Sequence, residues 1–81
     1  MKKEVTVKVL TSGYAGYSSY GNPKKMLCIE YQSGAREFAH TASNAMCGYI
    51  SYRDNGMYRL TYHYTRTGRM IVDNAEEVTT A

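Results

Sequence analysis

The feature that most constrains this chain is its punctuation. Segments that alternate apolar and polar residues are cut again and again by two-residue turn signals, Ser33-Gly34, Asn55-Gly56 and Thr67-Gly68. Alternation at period two turns one face of an extended segment inward and the other outward, and a turn this short joins only antiparallel neighbours. Parallel strands need crossovers of a dozen or more residues, for which the spacing leaves little room. The expectation is an antiparallel all-β fold. With 81 residues there is material for one core, so the chain is read as a single domain, folded over 3–74.

Glu4 to Leu10 is the cleanest segment, with Val5, Val7 and Val9 on one face and Thr6, Lys8 and Leu10 on the other. Residues 11–25 then lose all period, holding Gly13, Gly16, Gly21 and the lone proline, with Tyr14, Tyr17 and Tyr20 at every third position. This predicts a long Tyr/Gly/Ser loop, of a length that in compact domains is usually functional. Met26–Gln32 and Ala35–His40 form a hairpin about Ser33-Gly34. Its register places Leu27 opposite His40, Ile29 opposite Phe38, Tyr31 opposite Arg36 and Glu30 opposite Glu37. That last, like-charged pair is tolerable only on a solvated face.

Thr41 to Cys47 is small and capped by Thr41 or Ser43, which fits one short helical turn. Tyr49–Arg53 and Met57–Tyr64 read as a hairpin about Asp54-Asn55-Gly56, with Tyr49 across from Tyr62 and Arg53 across from Tyr58. Thr67-Gly68 returns the chain into Arg69–Asp73, setting Arg66 against Arg69, and 75–81 reads as a frayed tail. The result is a small antiparallel six-stranded barrel or strongly curved sheet, SH3-like or OB-like, with one short helical turn. The alternative is a two-layer α+β fold, with residues 39–49 as a single helix on a five-stranded antiparallel sheet.

Composition sets the kind of surface available. Nine tyrosines stand beside one phenylalanine and no tryptophan, so most large rings carry a hydroxyl that needs water or a partner. A net charge of +3 permits a nucleic-acid partner without requiring one. No apolar run is long enough for a membrane helix, and the stretch after Lys2-Lys3 lacks a signal-peptide core. A cytoplasmic protein without membrane partners is expected. Cys28 and Cys47 are read as free thiols, although one disulfide between them is arithmetically possible. The order Cys28, His40, Cys47, His63 holds no pair at zinc-ligand spacing, so neither metal nor cofactor is expected.

No nucleophile motif or phosphate cradle is present, and His40 and His63 read as strand residues, so a non-enzymatic binding role is expected. The candidate contact residues are Tyr14, Tyr17 and Tyr20 in the loop with Lys24 and Lys25 at its exit, the Arg/Tyr strand surface of Arg53, Tyr58 and Arg59, and a charged rim of Arg66 and Arg69. Rigid rings among glycine and serine are what binding loops of paratopes use, which favours a protein partner. In size the chain is like the inhibitors that phages and mobile elements direct at host defence machinery, an analogy of size only. The alternative is single-stranded nucleic acid, with tyrosines stacked on bases and Lys24, Lys25, Arg59, Arg66 and Arg69 along the backbone. A homo-oligomer through unpaired strand edges is the third reading.

Overall fold

The structure, a computed structural model, describes residues 2–78. Five strands and one short 3₁₀ helix follow in the order β1 (Lys3–Tyr17), β2 (Pro23–Glu30), β3 (Arg36–Thr41), η1 (Met46–Tyr49), β4 (Gly56–Tyr64) and β5 (Met70–Glu77). They close into a barrel, β1-β2-β3-β5-β4 and back to β1. All pairs are antiparallel except β3 with β5, where Ala39, His40 and Thr41 run parallel to Met70, Ile71 and Val72. This order and its one parallel seam are the OB-like form of the expected small barrel. Each strand is hydrogen-bonded to two neighbours, so association by edge pairing finds no full edge strand among the described residues.

Inward alternation builds the core. Val7 and Val9 of β1, Leu27 and Ile29 of β2, Ala39 of β3, Tyr58 and Leu60 of β4, and Met70, Val72 and Ala75 of β5 form one buried cluster. Cys47 and Tyr52 close it from the β3–β4 connection, where the Tyr52 hydroxyl donates to the Cys47 carbonyl at 2.8 Å. Both cysteines are free, and burial pushes the Cys47 thiol up from its ordinary pKa.

Three expectations are corrected. Residues 11–25 are not a long loop: β1 continues to Tyr17, β2 starts at Pro23, and only residues 18–22 turn. Two bulges hid the strand, one between Val9 and Thr11 and one between Tyr14 and Tyr17, where Gly16 takes φ 87°. Each inserts a residue and so reverses the alternation that marks a strand. Residues 49–53 are not a strand, which reduces six to five. They cross the barrel end behind Gly48, which lies so close to Pro23 that an added Cβ would stand 1.8 Å from its carbonyl oxygen. Tyr49 therefore does not face Tyr62, and residues 75–77 are not tail but the end of β5, with Ala75 buried. The rest of the expected tail, 79–81, lies outside the described residues.

The β2–β3 register is also displaced by one residue. Ile29 faces Glu37, Cys28 faces Phe38, and Glu30 faces Arg36, with which it forms an ion pair at 3.1 Å. The connection is a three-residue loop, Gln32-Ser33-Gly34, closed by Tyr31 N–H to the Ala35 carbonyl, with Gly34 at φ 92°. The extra loop residue replaces the Glu30–Glu37 clash by an attraction. It also turns Phe38 and His40 to the outside, because a one-residue slip exchanges the two faces of a strand.

Candidate functional site

The outer face of the barrel across β2, β3, β5 and β4 carries an aligned row, Met26, His40, Ile71 and His63. Beside it Cys28 pairs with Phe38, whose ring is 61% exposed. An open cleft of about 550 Å³ is sunk into this face. Lys24 and His40 line it from β2 and β3, Arg69 enters from the β4–β5 turn, and Ser43 and Asn44 form its shelf. His63 and Asp73 stand at its far side with Nδ1 and Oδ2 2.7 Å apart, and the Lys2 ammonium lies 3.9 Å from the same carboxylate.

The β1–β2 hairpin tip is tied to that shelf. Ser18 Oγ donates to the Ser43 carbonyl at 2.7 Å and accepts from the Tyr20 and Asn22 amides, while Asn22 Nδ2 donates to the same carbonyl. The tip is thus held against the cleft by polar bonds. Its rings are not covered: Tyr14, Tyr17 and Tyr20 are 64%, 68% and 70% exposed. Tyr14 and Tyr17 meet edge to face with centroids 5.8 Å apart, which fixes one ring against the other.

The charges divide into neutralised and free. Arg36 pairs with Glu30, Arg53 with Glu77 at 2.9 Å and Arg59 with Glu76 at 2.5 Å. Lys25 points the other way from Lys24: its ammonium donates to the Ile50 carbonyl and sits 5.8 Å over the Tyr52 ring. Lys24, Arg66 and Arg69 have no carboxylate within 4.0 Å among the described residues. Burial first, then Arg69 and Lys24, push the His40 pKa below its ordinary value. Each of the three opposes a charge on the imidazole ring.

The structure therefore leaves Tyr14, Tyr17 and Tyr20 uncovered on the β1–β2 hairpin, sets Lys24 and Arg69 in the cleft, and removes other candidates. Tyr58 is only 2% exposed; its oxygen accepts the Arg53 amide at 2.9 Å and its ring packs on Tyr52 with centroids 5.1 Å apart. It is core, not contact surface. Arg53 does not lie across a ladder from Tyr58 and holds Glu77 instead, Arg59 is paired, and Lys25 is spent on the barrel end. Arg66 stays exposed, but the residue facing Arg69 across the turn is Thr65, whose N–H donates to the Arg69 carbonyl at 2.9 Å. Phe38, His40, Ser43 and Asn44 were not expected at a site. The signal for the first two was the unfavourable Glu30–Glu37 pairing, which a one-residue longer loop removes.

His63 and Asp73 are a pair without a third His, Cys, Asp or Glu converging on them among the described residues. No helix there is long and apolar enough to cross a membrane. Neither the protein-family models nor the curated proteins compared with this chain match it.

Proposed function

We propose that the chain is a non-enzymatic module that binds single-stranded nucleic acid along the outer face of β2 and β3, between the hairpin tip and the β4–β5 turn. The observation that carries this is the coincidence, on the outer face of β2 and β3, of the uncovered Phe38 ring with Lys24 and Arg69, cations that no carboxylate neutralises, beside a hairpin tip bonded to the cleft's shelf. Rings stack on any base, and free cations replace the counterions of a phosphate backbone. The OB-like barrel adds a prior at the level of fold alone, since such barrels take oligonucleotides and oligosaccharides on the β2–β3 face and its two flanking loops. Of these, the unneutralised charge favours the polyanion.

Fluorescence anisotropy with labelled single strands of mixed sequence tests the reading. Affinity should fall linearly on a log–log plot between about 50 and about 200 mM salt, and a duplex of the same sequence should compete poorly. Absence of binding at about 50 mM salt, where phosphate contacts are strongest, rejects it.

A protein partner is the second reading, favoured by the three exposed tyrosines on a glycine-bearing tip. It rests now on the tip alone, because Tyr58, Arg53 and Arg59 are otherwise engaged. Its mark is a complex lost when Tyr14, Tyr17 and Tyr20 are all changed to alanine and whose dissociation is indifferent to salt.

A further inference from the structure

We infer that the outer-face cleft is a phosphate seat in which His40, flanked by Lys24 and Arg69, takes up a proton as the phosphate arrives. The inference rests on the nucleic-acid reading for its biological source of phosphate, but not for its geometry. Lys24 from β2, His40 from β3 and Arg69 from the β4–β5 turn line one open cleft, and Ser43 and Asn44 supply neutral polar groups along its floor. Three nitrogen-bearing side chains and a polar shelf suit a tetrahedral oxyanion, which accepts hydrogen bonds from several directions. The only carboxylate lining the cleft among the described residues is Asp73, and it is already held by His63 and Lys2. The anion-facing cations are therefore not cancelled from within.

The other groups around His40 decide the sign. Met26 and Ile71, its cross-strand neighbours on β2 and β5, are apolar and do not titrate. Lys24 and Arg69 oppose its protonation in the free protein, as does burial. Lys2, His63 and Asp73 lie on the far side of the cleft, where two cationic or basic groups share one carboxylate. A bound phosphate reverses the local field, so His40 gains a proton from solvent and a second charged contact with the ligand. Proton uptake on binding requires affinity to rise as pH falls, the gain being complete once pH is below the free-state pKa. Each unit by which phosphate raises that pKa is worth about tenfold.

The test uses two ligands. Inorganic phosphate, followed by the His40 imidazole resonances, should raise the His40 pKa. Oligo-deoxythymidine, whose bases do not titrate in this range, should bind about tenfold more tightly at pH 5.5 than at pH 8 at fixed salt. His40→Gln should bind with a flat pH profile, and Arg69→Ser should raise the His40 pKa of the free protein while weakening phosphate binding. Circular dichroism checks that both variants fold. Oligonucleotide binding with a pH profile unchanged by His40→Gln, or with His40 resonances unmoved by phosphate, overturns the seat and leaves the nucleic-acid reading standing. Phosphate titration of His40 without oligonucleotide binding at any pH does the reverse, assigning the seat to free phosphate and rejecting that reading.

Discussion

Two groups of tyrosines in this molecule have the same chemistry and opposite fates. Tyr52 and Tyr58 lie in the core with their rings packed at 5.1 Å and their hydroxyls bonded, one to the Cys47 carbonyl and one to the Arg53 amide. Tyr14, Tyr17 and Tyr20 sit on the hairpin tip with most of their surface bare. The inner rings stabilise the fold through burial and satisfied hydroxyls, which is why desolvation raises the Tyr52 pKa. The outer rings contribute little to the fold and are available to a ligand. What separates the groups is position relative to barrel closure: the β1–β2 hairpin carries its tip past the end of the sheet, while β4 and the crossing segment 50–53 carry theirs beneath it.

That contrast is open to direct attack. Tyr58→Ala should cost about 3–5 kcal/mol in urea unfolding, as large aromatic truncations in cores do, while Tyr20→Ala should stay within about 0.5 kcal/mol. Comparable losses for the two would erase the division. The glycines offer the same comparison at the backbone. Gly48→Ala drives a methyl into the Pro23 carbonyl and should lower stability by about 1–3 kcal/mol or more, whereas a Cβ at Gly13 meets nothing within 4 Å. A thermal melt of both variants reads the difference, and equal melting points would show that the close approach at Gly48 is not real.

On the binding side, Tyr17→Ala should weaken single-strand affinity by about 1–3 kcal/mol without changing the unfolding curve. A loss of affinity that follows a loss of fold would place this ring with the inner group. The smallest effect concerns the cations. Lys24→Ala or Arg69→Ala should each reduce the salt slope by about one, while Arg59→Ala, whose guanidinium is taken by Glu76, should leave the slope unchanged. A slope that drops equally for all three would mean that ion pairing does not decide which cations meet the ligand.

Much of the fold could be read locally. The Val5, Val7, Val9 alternation and the Asn55-Gly56 turn stand where expected, with Asn55 at φ 63° and Gly56 opening β4. Where reading failed, an inserted residue was responsible. Bulges after Val9 and Tyr14 erased the period of a true strand, and the third residue of the 32–34 loop slipped β3 by one. A period-two pattern carries no memory across an insertion, so every residue beyond it is assigned to the wrong face. Phe38 and His40 were lost to the site for this reason, and the tip tyrosines were found because their exposure did not depend on register.

From the residues alone follow the all-β class, the places where the chain turns and a segment rich in rings and hydroxyls, since each of these is settled within a few neighbouring positions. The parallel seam between Ala39–Thr41 and Met70–Val72, the burial of Tyr58 and the cleft joining Lys24, His40 and Arg69 belong to tertiary structure. They arise only when barrel closure brings together side chains far apart in sequence, 31 residues for each pair of the seam, where local preference has no influence and only the closed core decides which neighbours each strand acquires.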